Sequence, residues 1–318
     1  MSASTNVLIT GASRGLGRGL LERYLLKPNH TVIAANRDPS SPSSTSLEQL
    51  PKGAGSKLII VKIDADSETD AAAAVAELKT KHGIEYLDIV IANAGISYIW
   101  PAVADVKIAD IDAHIRTNVY GLVSVFQATR PLLKESKGTP IFAPMGTTAA
   151  SIACVFSLSV FLFPSEPVLF SKPSVLDGPL VQLFCLGACL GSRHTLSSQV
   201  RTQSQTNIIE KTPPRRNQLP LPNAAYGTSK AAAGWLTKRI AAEEGSWLTC
   251  ISLVPGLVET DLGKAGIEGL GLTLEAASAY LVDFAVACDG MVSVLGGPLD
   301  REVVGGNMVF YNGDVLPW

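Results

Sequence analysis

The sequence predicts an α/β protein built on a doubly wound parallel sheet of about seven strands. Short apolar runs alternate with longer segments of helical apolar spacing, the pattern of buried parallel strands joined by crossover helices. The first run, residues 7–9, ends in a glycine-rich turn and passes directly into a helical pattern that includes Leu16, Leu20 and Leu25. The alternation of strands and helices along the chain indicates a parallel sheet with right-handed crossovers, and a single domain is expected.

The predicted strands share continuous apolar sequence and polar or glycine-rich ends: residues 7–9, 31–35, 57–63, 87–91, 140–145, 248–254 and 307–311. Helices are predicted between them at residues 68–81, 109–134, 223–244 and 276–295. Residues 39–55 are rich in Ser, Pro and Gly and are predicted to form a loop. The glycine-rich segment 257–272 is expected to form a mobile lid.

Composition excludes several classes of function. With 318 residues, a formal net charge of -2 and a pI of about 6.1, the chain has no basic field for nucleic acid or an anionic membrane. The N-terminal residues lack the pattern of a signal peptide, and the apolar stretches are too short to span a bilayer. Five cysteines lack zinc spacing, Cys185 and Cys189 included, so we expect no metal and a cytoplasmic location.

The turn after the first strand is the first candidate binding site. It reads Thr10-Gly-Ala-Ser-Arg-Gly-Leu-Gly17 and opens the helix that follows. Glycine lets the backbone approach a pyrophosphate, whose charge the free N–H groups and positive dipole end of the helix stabilise. The turn therefore predicts dinucleotide binding, with the following candidate contacts: Gly11, Ser13, Arg14, Gly15, Leu16 and Gly17.

The end of the second strand bears on the choice of cofactor. An NAD site usually has an Asp or Glu there for the ribose 2′-OH, whereas this chain has Asn36 and Arg37. Arg37 and Arg14 could bind a 2′-phosphate, which favours NADP (NADPH) over NAD. The alternative is that both arginines are solvated loop residues.

Tyr226 and Lys230 form the second candidate site. Residues four apart lie on one face of a helix, so the phenol and the ammonium point into the same space. A fixed cation within about 4–6 Å favours the phenolate and would lower the pKa of Tyr226. The pair therefore predicts a general acid for the reduction of a carbonyl.

Together these motifs resemble the short-chain dehydrogenase/reductase family, which has a Rossmann-type fold. The matching pieces occur in the family's order: Thr10-Gly11-x-x-x-Gly15-x-Gly17, Asn93-Ala94-Gly95, Asn118, a hydroxyl residue after the fifth strand, Tyr226-x-x-x-Lys230, and Pro255-Gly256 followed by Thr260. Asn118-Val-Tyr-Gly121, residues 127–133 and the ending Leu316-Pro-Trp318 resemble fungal ketoreductases of the norsolorinic acid ketoreductase type. Those enzymes act in aromatic polyketide pathways such as aflatoxin biosynthesis.

The resemblance implies roles for the candidate catalytic residues. Tyr226 would protonate the carbonyl oxygen while Lys230 binds the nicotinamide ribose and lowers the pKa of the tyrosine. Asn118 would hold a water in the proton relay behind Lys230. Thr147 stands where the family usually has Ser and keeps the hydroxyl donor, with Thr148 as the alternative.

The resemblance also implies three further cofactor contacts. Asp64 would contact the adenine, Asn93 the adenosine ribose side, and Thr260 the nicotinamide carboxamide. Members of the family are commonly dimers or tetramers, so a homodimer or homotetramer is expected with a small-molecule ketone as substrate.

Residues 153–218 depart from the family pattern. They separate Thr147 from Tyr226 by far more chain than usual and change composition abruptly, so residues 1–152 and 219–318 are expected to form the dinucleotide-binding domain. We hypothesise that the block is translated intron or a gene-model error, because its removal restores the usual spacing. The alternative is a genuine substrate cap.

The sequence thus predicts an NADPH-dependent reductase of an aromatic or polyketide ketone. The alternative is a catalytically silent dinucleotide-binding or regulatory protein whose active site the block disrupts. His114 is expected on a helix surface, Trp235 and Trp247 in packing, and Trp318 on the sheet or at a subunit contact.

Overall fold

The computed structural model describes residues 4–151, 222–269, 271–316 and 318. Its main sheet has six parallel strands in the order β3-β2-β1-β4-β5-β6. The strands are β1 (Thr5–Thr10), β2 (His30–Asn36), β3 (Lys57–Lys62), β4 (Ile89–Ala92), β5 (Ile141–Pro144) and β6 (Thr249–Cys250). The predicted α/β fold with a doubly wound parallel sheet is confirmed.

The sheet continues beyond β6. After Ile251 the chain forms β7 (Ser252–Val254), which pairs in parallel with β10 (Met308–Phe310), and β11 (Val315–Leu316) pairs antiparallel with β10. A bridge between Met145 and Leu253 keeps β7 beside the end of β5. β8 (Leu257–Val258) and β9 (Leu281–Val282) form a separate parallel pair.

The core lies on both faces of the sheet, as a doubly wound fold requires. Along β1, Val7 and Ile9 pack into the cluster on one face, while Leu8 packs into the cluster on the other. This alternation follows from the two-residue period of a strand. Because both faces are covered, the three central residues of β1, Val7 to Ile9, are all apolar and fully buried.

Helices cover the sheet between the strands. Their bounds are Gly15–Leu26, Pro42–Thr45, Asp70–His82, Ile108–Ile115, Gly121–Lys134, Tyr226–Glu244, Asp261–Gly269, Leu274–Ala277, Phe284–Gly296 and Arg301–Val304. A π-helix at Arg116–Tyr120 joins the fourth and fifth of these, and short 3₁₀ helices occupy Ser46–Gln49, Thr148–Ala150 and Ser278–Tyr280. We refer below to the Tyr226 helix (Tyr226–Glu244) and the Asp261 helix (Asp261–Gly269).

Two predicted elements need correction. The single helix expected at residues 276–295 is broken by β9 and restarts after Asp283, whose carboxylate accepts hydrogen bonds from the N–H groups of Ala285 and Val286. That capping carboxylate marks a helix start inside the predicted helix. Residues 39–55, predicted as a loop, contain two short helical segments, Pro42–Thr45 and Ser46–Gln49.

Residues 153–218, together with Cys185 and Cys189, lie outside the described residues. Cys250 and Cys288 are free thiols buried in the core. Within the described ranges no helix combines the length and the apolar character that a membrane span requires.

Candidate active site

Tyr226 and Lys230 lie one turn apart at the start of the Tyr226 helix, and both are buried. The ammonium nitrogen of Lys230 lies 5.9 Å from the centroid of the Tyr226 ring and donates a 2.8 Å hydrogen bond to the carbonyl oxygen of Met145. Met145 directly follows β5. The helix and the sheet are thus joined at the amine itself.

Thr147 brings a second hydroxyl to Tyr226. Its backbone is extended just after β5, and its side chain forms a hydrogen bond with the Tyr226 side chain. The same hydroxyl oxygen accepts a 3.2 Å hydrogen bond from the N–H of Ala149. The structure therefore brings together the hydroxyl groups of Thr147 and Tyr226, both of which were predicted to act on the carbonyl of a substrate.

Burial controls the protonation of both groups. It raises the pKa of Tyr226 above its usual value, and the hydrogen bond from Thr147 opposes this shift only in part. It lowers the pKa of Lys230 to about 8 because the charged amine loses its hydration. The expectation that Lys230 lowers the pKa of Tyr226 is corrected here, because desolvation of the phenolate is the larger effect.

Asn118 lies in the π-helix and fastens three segments together. Its amide nitrogen donates to the carbonyl oxygen of Ile96 at 3.0 Å and to Ser229 Oγ at 2.9 Å, while its Oδ1 accepts from the N–H of Ile96 at 2.9 Å. Ser229 in turn donates to the carbonyl oxygen of Tyr226 at 2.7 Å. Sequence reasoning missed Ser229, although its position directly before Lys230 places it on the same helical turn.

A small cavity lies behind Lys230. Its volume is about 10 Å³, roughly what one water requires, and its lining includes Thr10, Asn118, Met145 and Lys230. Both amide hydrogens of Asn118 are already donated to protein groups, which leaves a lone pair of Oδ1 for a water.

Asn223 joins the start of the Tyr226 helix to the turn after β5. Its Nδ2 donates to the carbonyl oxygen of Ala149 at 3.1 Å, and its Oδ1 accepts from the N–H of Gly227 at 2.8 Å. A Cβ at Gly227 would lie 2.5 Å from the Asn223 amide, so a side chain there would displace that amide. Sequence reasoning missed Asn223, whose signal is an Asn close to the start of a predicted helix.

The glycine turn has the geometry of a phosphate-binding loop. Gly11 and Gly15 adopt φ angles of 64° and 54°, which disfavour other residues. A Cβ on Gly17 would overlap the carbonyl oxygen of Gly11 and the amide of Asn93. Asn93 Nδ2 donates to the carbonyl oxygen of Thr10 at 2.9 Å and fastens the turn to the end of β4. The Asn93 amide therefore already binds a backbone carbonyl of the glycine turn.

The helix after this turn is open to an anion. Its N-cap residue, Arg14, makes no side-chain capping bond, and the first turn has no acidic residue. Space around Gly15 is free, since an added Cβ would have no neighbour within 4 Å among the described atoms. Ser13 and Leu16 lie on either side of Arg14 and Gly15 in the chain. Uncapped N–H groups beside open space fit the pyrophosphate of a nicotinamide dinucleotide.

The remaining candidate cofactor residues follow strands β2, β3 and β8. Asn36 ends β2 in a buried position, with Nδ2 donating to Ser44 Oγ at 3.1 Å, and the exposed Arg37 follows it. Asp64 follows β3. Thr260 follows β8, and its hydroxyl accepts from the N–H of Gly263 at 3.1 Å. Asn36, Arg37 and Asp64 follow parallel neighbouring strands and therefore lie on the edge of the sheet that carries the glycine turn.

Arg14 reaches across to the Asp261 helix. Its guanidinium lies 3.3 Å from the carboxylate of Asp261, and both side chains are largely exposed. An ion pair of this kind contributes at most about 1 kcal/mol. Arg14 is therefore held only weakly and could turn toward a phosphate.

An aromatic group surrounds Tyr226, which sequence reasoning did not foresee. Trp100 lies 5.5 Å from the Tyr226 ring, and His114 lies 6.4 Å from it at an edge-on angle of 68°. Tyr98 stacks on His114 at 4.7 Å. His114 is 0% exposed, so its predicted place on a helix surface is wrong: Tyr98, which comes from a separate loop, covers that face.

The other tryptophans have mixed outcomes. Trp247 packs against the core, as predicted, and its Nε1 donates to Glu244 at 2.8 Å. Trp235 is 65% exposed, so its predicted packing role is wrong. Trp318 lies against Gly234 of the Tyr226 helix and donates to the carbonyl oxygen of Gly306 at 2.8 Å.

Solved structures share this fold. The NADPH-bound carbonyl reductase from chicken fatty liver matches with a TM-score of 0.68 and 22% identity, covering 99% of this chain and 100% of that one. The carbonyl reductase Sniffer of Drosophila melanogaster matches with a TM-score of 0.65 and 20% identity over 99% and 100% of the two chains. At these identities the likeness establishes the fold.

Sequence comparisons establish the family. The model of the short chain dehydrogenase family matches residues 5–148. Norsolorinic acid ketoreductase nor1 of Dothistroma septosporum is 30% identical over 100% of this chain and 94% of that protein. Norsolorinic acid ketoreductase of Aspergillus parasiticus is 30% identical over 99% of this chain and 91% of that protein. The resemblance stated from the motifs is confirmed, and this chain belongs to the short-chain dehydrogenase/reductase family.

Proposed function

We propose that this chain is an NADPH-dependent ketoreductase that converts an aromatic or polyketide ketone to an alcohol. The observation that carries the proposal is the contact between Thr147 and Tyr226 beside the buried amine of Lys230. Two hydroxyl donors that meet at one point can bind the same carbonyl oxygen. The contact favours this function over a silent binding protein with a disrupted site.

In this proposal Tyr226 is the general acid. Its raised pKa keeps the phenol protonated at neutral pH, so a proton is present at Oη for the carbonyl oxygen. Thr147 donates to the same oxygen and holds the carbonyl in place. When bound, the reduced nicotinamide supplies the hydride that reduces the carbonyl carbon.

Lys230 and Asn118 complete the proposed proton path. The Lys230 ammonium lies on the same helix face as the phenol and supplies positive charge where the phenolate forms. The cavity beside Asn118 has room for about one water, through which a proton could return toward Tyr226. Ser229 holds Asn118, and through it the π-helix, in register with the Tyr226 helix.

The proposed cofactor contacts are the glycine turn for the pyrophosphate and Arg14 and Arg37 for a 2′-phosphate. The last residue of β2 is Asn36, where an NAD site usually has an Asp or Glu, and this difference supports NADP over NAD. Asp64, Asn93 and Thr260 are assigned to the adenine, adenosine ribose and carboxamide as the family implies. The aromatic substrate class draws support from relatives named norsolorinic acid ketoreductase. We further propose a cytoplasmic homodimer or homotetramer that acts in secondary metabolism such as an aflatoxin-like pathway.

The test compares the full chain with a variant lacking residues 153–218, using NADPH and NADH with a panel of aromatic ketones. We expect NADPH-dependent reduction that Tyr226→Phe lowers at least a hundredfold, because general acid catalysis contributes about that much. Arg37→Gln should raise the KM for NADPH and leave that for NADH unchanged. Ketone reduction that survives in Tyr226→Phe would refute the assigned acid.

The deletion separates the two hypotheses for residues 153–218. Activity in the shortened chain alone would mark the block as an interruption, whereas activity in the full chain alone would mark it as part of the substrate site. Sequencing of the transcript tests the intron hypothesis directly, since a dominant mRNA that encodes the block would contradict it.

A further inference from the structure

The cavity behind Lys230 reaches toward the protein surface at Thr117. Among the described residues that line it, four carry polar side chains: Thr10, Thr117, Asn118 and Lys230. Thr10, Asn118 and Lys230 are buried, whereas Thr117 is partly exposed. The other lining side chains are apolar or are glycines and cannot relay a proton. Thr117 is therefore the lining residue through which hydrogen bonds can connect the cavity with solvent.

The Thr117 hydroxyl continues this connection outward. It donates a 2.6 Å hydrogen bond to Asp66 Oδ1. Asp66 is exposed, and its N–H donates to Asp64 Oδ1 at 3.1 Å, which fixes the turn that carries it. A carboxylate can take up a proton from water, and a hydroxyl can accept one hydrogen bond while it donates another. The two groups thus form a hydrogen-bonded link between solvent and a residue that lines the cavity.

The turn after β3 packs closely against the helical segment that carries Thr117. Gly121 directly follows the π-helix, and a Cβ on it would lie 2.7 Å from the carbonyl oxygen of Ala65. Gly121 and Ala65 both line the cavity. Because Gly121 lies about one turn after Thr117 and Ala65 directly precedes Asp66, this contact holds the two segments together beside the Thr117–Asp66 hydrogen bond.

Lys230 lies at the inner end of the same cavity. Its ammonium has three N–H donors, and one of them binds the carbonyl oxygen of Met145 at 2.8 Å. The cavity volume of about 10 Å³ suits one water, which can accept a hydrogen bond from another of these donors. Since Lys230 and Thr117 border a space of this size, one water can contact both residues.

Resting on the proposed reductase function, we propose that Thr117 and Asp66 carry protons between solvent and Lys230. Each reduction consumes one proton, which Tyr226 gives to the carbonyl oxygen and which solvent must replace after Lys230 has passed a proton toward Tyr226. Asp66 binds a proton from solvent and passes it to Thr117 Oγ1, while Thr117 gives its own hydroxyl hydrogen to the cavity water. That water gives one hydrogen to the Lys230 amine. Asp66, Thr117 and the water end as they began, so one proton has moved from solvent to Lys230.

The experiment measures the exchange of the Lys230 amine hydrogens with water by NMR. The full chain carries isotope-labelled lysine and is saturated with NADP⁺, and the Lys230 signal is identified by its absence in Lys230→Met. Thr117→Val keeps the shape of the side chain and loses the hydroxyl, whereas Thr117→Ser keeps the hydroxyl. Asp66→Asn keeps an acceptor oxygen for Thr117 but cannot take up a proton. Asp112→Asn is the matched control, because it removes an exposed carboxylate from the helix before the π-helix.

We expect Thr117→Val and Asp66→Asn to slow the exchange about tenfold or more, and Thr117→Ser and Asp112→Asn to change it by no more than about twofold. A variant that only loosened the contact between the two segments would admit water and make the exchange faster. In single turnovers followed with a pH indicator, proton uptake should keep pace with NADPH oxidation in the unsubstituted chain. In Thr117→Val the uptake should be slower than the oxidation by about tenfold.

The two proposals fail separately. Slower exchange in Thr117→Val and Asp66→Asn without reduction of any ketone would support the proton path and refute the reductase function. Ketone reduction that Tyr226→Phe abolishes, together with unchanged exchange in both variants, would support the function and overturn the proton path. Proton uptake that keeps pace with NADPH oxidation in Thr117→Val would also overturn the path.

Discussion

The ammonium of Lys230 donates to the carbonyl oxygen of Met145 over 2.8 Å, so the buried amine binds the sheet through the residue that directly follows β5. This bond does not offset the full loss of hydration, because the pKa of Lys230 still falls to about 8. The buried Lys230 amine therefore lowers the free energy of unfolding at neutral pH, although the proposed reaction requires it. Two predictions follow from its titration.

Lys230→Met should stabilise the fold at pH 7 by up to about 2 kcal/mol. A pKa of about 8 in place of 10.5 corresponds to about 3 kcal/mol, from which the unpaired Met145 carbonyl subtracts about 1 kcal/mol or more. Because the folded pKa lies below the unfolded one, the unfolded chain binds more protons between pH 8 and 10.5. The advantage of the variant should thus shrink as pH rises through this window. Urea unfolding at pH 7, 8 and 9.5 measures it, and a constant difference would contradict the buried charge.

Ketone reduction should lose activity as Lys230 loses its proton. We expect kcat/KM to be constant between about pH 6 and 7 and to fall up to tenfold per pH unit above about 8. Tyr226, whose pKa is raised, stays protonated across this range and does not add a second fall. Steady-state rates with saturating NADPH check this, and a flat profile up to pH 9.5 would exclude control by Lys230.

Gly17→Ala should weaken NADPH binding at least tenfold. The added Cβ overlaps the carbonyl oxygen of Gly11, so the turn must move away from the position that accepts the pyrophosphate. Gly138→Ala is the matched control, because its Cβ would meet nothing closer than a serine oxygen at 4.0 Å. Fluorescence titration with NADPH compares the two variants. Equal affinities would show that the turn does not contact the cofactor.

Gly234→Ala should destabilise the chain by about 1–3 kcal/mol, although alanine is the better helix former. Its Cβ would overlap the Trp318 ring. In a Trp318→Ala background the same change should instead stabilise the protein by about 1 kcal/mol, the ordinary helix preference. Thermal unfolding of the four proteins forms a double-mutant cycle. An equal effect of Gly234→Ala in both backgrounds would show that Trp318 does not pack there.

The features that could be predicted from the sequence are those determined by residues close together in the chain. The strand, turn and helix between Thr5 and Leu26 follow from local apolar period and glycine. Tyr226 and Lys230 share a helix face for the same reason. The break in the helix before Asp283 could not be predicted in this way, because the apolar sequence around it fits a helix equally well. Residues 281–282 form a strand because they pair with β8, which lies elsewhere in the chain.

The remaining features depend on contacts between distant segments. His114 is buried because Tyr98 stacks on it from another loop, and no periodicity within its own helix contains that information. Trp100 contacts Tyr226 although the two residues lie far apart in the sequence. The raised pKa of Tyr226 is likewise a property of the assembled surroundings, which a tyrosine and a lysine four residues apart do not reveal.

The bond between Asn223 and Ala149 has a consequence for protein engineering. This hydrogen bond links the segment that ends before residue 152 to the segment that begins after residue 221. It therefore helps to keep Thr147 close to Tyr226 without any contribution from the sequence between them. Such a direct link makes this position suitable for the insertion of another domain. A sensor domain spliced between residues 151 and 222 would have its own termini held close together by the host enzyme.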